Sequence, residues 1–174
     1  MTKQLRSVAK LAKVKAVYTH GTHSVRTTQE MENGFFVKLG GVEANNIEVH
    51  EMVVPTTGDG DLKLVANPAI IYDNTARLGA DQERYYFMES GEVVRVYDVE
   101  ATDILGITKE GIDGDAVVGE YLVAGNGVKL VPSATKPATG FVAKVVRFDK
   151  VGGAFAINLT QTPAEYVMME VLSN

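Results

Sequence analysis

The 174-residue chain contains 17 Lys and Arg residues, 22 Asp and Glu residues, and no Cys. The lack of Cys excludes disulfide bonds, thiolate zinc sites and a cysteine nucleophile, and it favours an intracellular, reducing setting. No apolar run approaches the roughly 20 residues of a membrane-spanning helix, so we expect no membrane partner. Hydrophobic residues make up 45% of the chain, which is enough for one good core or two small ones.

Charge is distributed unevenly along the chain. The first 29 residues hold six basic and no acidic side chains, whereas the remainder holds 11 basic and 22 acidic ones. We therefore predict a basic N-terminal arm, residues 1–16, on an acidic body. Residues 5–12 carry a two-turn apolar stripe that is typical of a short helix, and an extended arm is an equal alternative. The candidate partner-binding residues are those of the arm: Lys3, Arg6, Lys10, Lys13 and Lys15.

The body after the arm consists of short runs rich in Val, Ile, Tyr and Phe, separated by Gly-containing turns. The pattern predicts an all-β, mainly antiparallel fold: a small β-barrel or sandwich with an extended basic arm and little helix. Residues 75–84 could hold a short helix, which Gly79 weakens. The predicted strands are residues 13–19, 35–39, 47–54, 85–88, 93–99, 121–123, 128–131, 141–148, 154–160 and 166–172.

Two further features of this pattern concern turns and domain organisation. Gly125-Asn126-Gly127 supplies positive-φ residues for a hairpin between the strands at 121–123 and 128–131. The second half of the chain is denser in Val and Gly, which places a boundary near residues 88–92. We expect a β-rich part at 17–90, including Arg26, and a barrel-like part at 91–174, and the two parts either stand apart or pack as one domain.

One tetrad has the spacing of a catalytic motif. Ser133-Ala-Thr-Lys136 matches the Ser-x-x-Lys pattern of penicillin-recognising enzymes. That chemistry requires the Lys one helical turn from the Ser, together with further motifs, but this tetrad lies in a loop between two prolines. We therefore predict an exposed loop rather than a nucleophile, and we expect no catalytic residue and no enzyme activity.

Metal-ligand patterns are similarly incomplete. His20 and His23 present two imidazoles, and His50 is the only other histidine that could complete a site. The sequences at 59–61 and 113–115 each begin like a calcium loop, but neither has a closing Glu at the required spacing. We interpret them as Asp-Gly turns, and we expect neither a metal nor another cofactor.

A series of turn and strand motifs in the body resembles a known group of viral proteins. In chain order the motifs are Met31-Glu-Asn-Gly-Phe-Phe-Val-Lys-Leu-Gly40, Val53-Val-Pro-Thr-Thr57, Leu64-Val-Ala-Asn-Pro68, Tyr72-Asp73, Glu92-Val-Val-Arg-Val-Tyr97, Asp103-Ile-Leu-Gly-Ile-Thr108 and Val118-Gly-Glu-Tyr-Leu-Val123. Their order resembles small structural proteins of tailed phages, and the second half is similar to the capsid decoration, or cement, proteins. The resemblance extends over most of residues 13–172 and carries no active site.

The resemblance implies a non-enzymatic protein that binds the assembled capsid surface and stabilises the shell. The implied partners are the major capsid protein and further copies of this chain, a trimer among the options, and the implied location is the virion after synthesis in the host cytoplasm. The acidic body and the scarcity of aromatic residues in the arm argue against nucleic acid. Alternatives are another virion part, namely a tail-tube, tail-completion or head-fibre subunit, or a basic-armed nucleic-acid- or scaffold-binding protein inside the head.

Overall fold

A computed structural model describes residues 4–69, 82–151 and 164–174 of the chain. The strands are β1 (Ala9–Lys13), β2 (Thr22–Arg26), β3 (Phe36–Glu43), β4 (Asn46–Val53), β5 (Lys63–Val65), β6 (Val93–Asp98), β7 (Ile104–Thr108), β8 (Tyr121–Ala124), β9 (Leu130–Ser133), β10 (Val142–Val151) and β11 (Ala164–Ser173). One helical turn, α1 (Ala16–Thr19), and two 3₁₀ turns (Gln82–Tyr85 and Lys109–Gly111) complete the described elements. The predicted all-β, mainly antiparallel fold with little helix is confirmed.

Strands β2 to β6 form a closed five-stranded barrel in the order β2-β4-β3-β5-β6, with β6 returning to β2. The pair β2–β4 is parallel, and the other neighbouring strands are antiparallel. Alternating residues point inward and form a buried cluster that includes Val25, Val37, Met52, Val65 and Val94. Closure leaves these five strands without a free edge for non-specific pairing.

The remaining strands form an open six-stranded antiparallel sheet in the order β1-β7-β11-β10-β8-β9. Its longest pair is β10–β11, which runs from Val142 opposite Ser173 to Val151 opposite Ala164. Strand β1 comes from the N-terminal arm and pairs with β7 alone. The arm is therefore an edge strand of a sheet whose other strands come from residues 104–173.

The barrel and the sheet share one hydrophobic core. Phe36 and Leu64 from the barrel belong to the same buried cluster as Leu105, Phe141 and Val167 from the sheet. The rings of Phe36 and Phe141 meet at 5.2 Å between centroids. The two halves thus pack as one unit. The boundary between barrel strands and sheet strands lies after β6, because β6 is needed to close the barrel.

Several predicted elements differ from the observed ones. The residues at 13–19 were expected to be a strand, but they end β1 and then form α1, because the backbone N–H of Lys15 donates to Asp103 and the chain turns at His20 in the left-handed region. Tyr85–Met88 contributes only the end of a 3₁₀ turn and an isolated bridge from Met88 to Met31. The strand expected at 154–160 and most of the helix considered at 75–84 lie outside the described residues.

Three observed strands, β2, β5 and β7, were not predicted. β2 is mostly polar in sequence, β5 has three residues, and β7 has Gly106 at its centre. Each is set by pairing on both sides: β2 between β4 and β6, β5 between β3 and β6, and β7 between β1 and β11. Tertiary context therefore overrides weak local preference at these positions. The hairpin expected at 125–127 connects β8 to β9, with Gly127 at φ 152°.

Candidate interaction surfaces

Arg6 attaches the N-terminal arm to the barrel. Its guanidinium donates to Glu32 at 2.9 Å, also bonds Glu30, and lies 4.5 Å from the ring centroid of Phe87. The backbone N–H of Ser7 donates to the second carboxylate oxygen of Glu32 at 2.6 Å. Burial lowers the pKa of Arg6, but the hydrogen bonds to Glu32 and Glu30 outweigh it and raise the pKa overall. Arg6 is thus committed to its own chain.

Lys15 is also paired within the chain, at the start of α1. Its ammonium donates to Glu100 at 2.9 Å, and its backbone N–H donates to Asp103 at 3.1 Å. The hydrogen bond to Glu100 raises the pKa of Lys15. Because both groups of this ion pair are about half exposed, the pair contributes little to the stability of the fold. Its main effect is to orient the chain at the start of α1.

Among the described arm cations, Lys10 and Lys13 are the least engaged within the chain. Lys10 on β1 reaches Asp149 only at 4.0 Å and lies 6.0 Å from the ring centroid of Tyr166. Lys13 is exposed, and within the described part of the chain its ammonium has no hydrogen bond or ion pair. Lys3 lies outside the described residues. Of the predicted partner-binding residues, the structure therefore brings Lys10 and Lys13 together on one edge strand.

The hairpin joining β3 to β4 projects beyond the barrel, a feature that sequence analysis missed. Val49 is buried, whereas Ile47, two residues earlier on β4, is 81% exposed, so burial along β4 ends between them. Glu43 pairs with Asn46 across the hairpin and Val42 pairs with His50, so the register is bulged at Ile47, Glu48 and Val49. We call residues 41–48 the hairpin tip. The only sequence signal was Gly40-Gly41, since apolar residues in a strand otherwise indicate core.

Arg26 braces this hairpin from β2. Its guanidinium makes a two-pronged contact with the Glu43 carboxylate and also donates to the carbonyl of Gly91 at 2.9 Å. The hydrogen bond from Arg26 lowers the pKa of Glu43. The contact with Arg26 neutralises Glu43, whereas Glu48 and Glu51 are exposed. All three carboxylates lie on residues 39–54, a segment that contains no Lys or Arg.

A groove of about 230 Å³ lies between β1 and the end of β5. The residues lining the groove are Val8, Ala9 and Leu11 on the β1 side, Asn33, Ala66, Asn67, Pro68 and Ala69 on the other, and Tyr97. The polar wall is fixed, because Asn67 exchanges two hydrogen bonds with Asn33 and accepts a third from the backbone N–H of Arg95. We call this cavity the β1 groove.

The candidate metal ligands are only partly brought together. The rings of His23 and His50 approach to 5.9 Å, but His23 is engaged by Asp98 at 3.2 Å and His50 by the carbonyl of Gly40 at 3.2 Å. His20 ends α1 in a left-handed conformation. Within residues 4–69, 82–151 and 164–174, no group of three metal-ligating side chains is suited to hold an ion.

The other motifs form turns. Ser133 ends β9, and its hydroxyl donates to the carbonyl of Thr135 at 2.7 Å, while Lys136 is exposed in the following loop. Asp59 accepts from the backbone and hydroxyl of Thr56 and pairs with Lys38. These contacts engage Ser133 and Asp59 within their own turns.

Comparison with protein-family models, with curated proteins and with solved structures found no match to this chain. In the described part of the chain, no helix has the length and apolar character needed to cross a bilayer.

Proposed function

We propose that the chain is a non-enzymatic virion protein of a tailed phage, which binds the surface of the assembled capsid and stabilises the shell. The observation that carries this proposal is the order of turn and strand motifs from Met31 to Val123, which resembles the capsid decoration proteins. A firmly packed β body with exposed strand edges and few reactive side chains suits a protein whose task is to bind neighbours.

The charge distribution supports a mechanism for this role. Lys10 and Lys13 project from an exposed edge strand of a chain with a net charge of −5. They would contact acidic surface at a joint between capsid subunits, while the acidic body keeps the decorated particle soluble. A protein that binds across such a joint stabilises the assembled shell, because a ligand favours the state to which it binds.

The test is co-sedimentation of the purified chain with assembled shells of the encoding phage and with free capsid subunits. We expect binding to shells alone, and a higher melting temperature for decorated shells. Changing Lys10→Glu and Lys13→Glu should weaken shell binding roughly tenfold or more, because two attractive contacts become repulsive. The matched control, Lys136→Glu with Lys144→Glu, changes net charge equally at other exposed sites and should bind as the parent does.

Unchanged shell melting together with no co-sedimentation would contradict the proposal. Particle imaging that places the chain on the tail or on a head fibre would instead support the second virion role. Binding to DNA would support a role inside the head, and Lys10 and Lys13 should then contribute about 2 to the slope of its salt dependence, since Arg6 and Lys15 are already paired.

A further inference from the structure

The hairpin between β8 and β9 contains one of the two Asn-Gly pairs in the chain, Asn126-Gly127, and the other pair is Asn33-Gly34. Asparagine before glycine is prone to lose its side-chain nitrogen as ammonia, because glycine has no side chain to hinder the backbone nitrogen that attacks. In both pairs the glycine N–H donates to a backbone carbonyl, at 3.1 Å for Gly127 and at 2.9 Å for Gly34. The difference between the two sites therefore lies in the asparagine side chains and in the space around them.

The side chain of Asn126 is exposed and is bonded through its oxygen. Its Oδ1 accepts from the backbone N–H of Thr57 at 3.0 Å and from the Thr57 hydroxyl at 3.2 Å. Two donors on this oxygen stabilise the negative charge that develops there when the amide carbon is attacked. Within the described part of the chain, the Nδ2 of Asn126 makes no hydrogen bond. A Cβ placed on Gly127 would meet nothing within 4 Å, so the reacting groups have room to approach each other.

The side chain of Asn33 is buried and is bonded at both ends. Its Nδ2 donates to the carbonyl of Asn67 at 2.9 Å, and its Oδ1 accepts from the Asn67 N–H at 2.8 Å. A Cβ placed on Gly34 would lie 2.9 Å from both Ile107 and Ser7, so the surroundings are tightly packed. Asn33 can therefore turn toward the nitrogen of Gly34 only after local opening of the fold.

We propose that Asn126 is a site of spontaneous deamidation in the folded chain, whereas Asn33 is protected. The backbone nitrogen of Gly127 loses its proton and bonds to the Cγ of Asn126. The bond from Cγ to Nδ2 breaks, and Nδ2 takes up a proton through solvent and leaves as ammonia. Water then opens the resulting succinimide ring at one of its two carbonyls, which gives aspartate or isoaspartate. Both products carry a carboxylate in place of a neutral amide, and the proposal does not depend on the virion role.

The modified hairpin lies at the contact between the sheet and the barrel. Val128 is buried in the barrel cluster, and its carbonyl accepts from the backbone N–H of Phe36 at 2.8 Å. Isoaspartate adds a methylene to the main chain two residues before Val128, which displaces it from this packing. Aspartate leaves the main chain unchanged and keeps an oxygen for both donors of Thr57. We therefore expect isoaspartate, and not aspartate, to weaken the contact.

Peptide mapping by mass spectrometry tests the proposal on the full chain aged at mildly alkaline pH. We expect Asn126 to deamidate at least roughly tenfold faster than Asn33, because Asn33 reacts only after local opening. The matched control is the same chain in guanidinium chloride, where both Asn-Gly pairs are unfolded and should react at similar rates. An Asn126→Gln variant should release no ammonia from this position on the same timescale, since its longer side chain must close a larger ring.

The proposal is overturned if the folded chain keeps Asn126 as long as it keeps Asn33, or if the two rates differ by the same factor in denaturant. Thermal melting of the separated products tests the effect on the fold. The isoaspartate form should melt below both the parent and an Asn126→Asp variant. An isoaspartate form that melts with the parent would contradict the effect assigned to the contact between sheet and barrel.

Discussion

At the scale of single residues, a group of linked charges lies where the barrel meets α1. Asp98 on β6 accepts from Lys63 at 2.9 Å and contacts His23 at 3.2 Å. Partial burial raises the pKa of Asp98, but the hydrogen bonds from Lys63 and His23 outweigh this and lower the pKa overall. The carboxylate is therefore a larger contributor to stability when ionised than when protonated.

This depressed pKa predicts a defined pH dependence. The contribution of Asp98 is present above the unfolded-state pKa of about 4 and is lost as pH falls through the lower folded-state pKa. Asp98→Asn should therefore lower the free energy of unfolding at neutral pH, and its difference from the parent should shrink below about pH 4. Urea titrations at several pH values measure this, with Asp113→Asn at an exposed turn as control. A difference that is constant with pH would contradict the ion-pair assignment.

At the scale of elements, two turns and the C-terminus fasten the sheet to the barrel. The backbone N–H of Phe141 donates to the carbonyl of Asp59 at 2.8 Å. Asn174 bonds both backbone groups of Leu62 and also donates to the carbonyl of Val99. These bonds hold the β4–β5 turn against the start of β10, so the connecting loops are structural parts of the shared core.

Two glycines in these turns allow backbone strain to be separated from steric fit. Gly58 and Gly140 have nearly the same φ, 86° and 87°. A Cβ at Gly58 would meet nothing within 4 Å, whereas a Cβ at Gly140 would lie 2.5 Å from the carbonyl oxygen of Gly58. Gly58→Ala should cost about 1–2 kcal/mol of unfolding free energy for the left-handed backbone alone. Gly140→Ala should cost about 1–3 kcal/mol more. Chemical denaturation compares them, and equal costs would show that the two turns do not pack closely.

The elements were predicted to different extents, for physical reasons. Strands with dense Val and Phe, such as β3 and β10, were found because their local preference and their burial agree. For the arm, the sequence predicted either a short helix or an extended chain, because the apolar stripe at residues 5–12 is compatible with both. In the structure the arm is a strand because it pairs with β7. The hairpin tip was missed because Ile47 resembles a core residue, and only the bulged register of β3 and β4 carries it past the barrel.

At the scale of the whole molecule, one buried cluster joins both sheets. Phe141 from the sheet is 1% exposed and packs on Phe36 from the barrel. Since the sheet buries its inner face in a cluster that also contains Phe36 and Leu64 of the barrel, we expect barrel and sheet to unfold in one cooperative transition.

Phe141→Ala tests this cooperativity. The cavity should cost about 3–5 kcal/mol of unfolding free energy, while Val146→Ala on the exposed face should change it by about 0.5 kcal/mol or less. Amide hydrogen exchange separates the two halves, and protection should fall equally at Leu64 in the barrel and Val167 in the sheet. A loss confined to the sheet would indicate two independently stable domains.

The sequence by itself determined the fold class, the absence of thiol chemistry and the division between a basic start and an acidic remainder. These properties follow from composition and from period-two patterns, which depend only on neighbouring residues. The tertiary structure alone decided that the arm is an edge strand, that Arg6 and Lys15 are paired with Glu32 and Glu100, and that a tip and a groove stand open. Such outcomes depend on contacts between residues far apart in sequence, and no local pattern encodes which carboxylate will meet which cation.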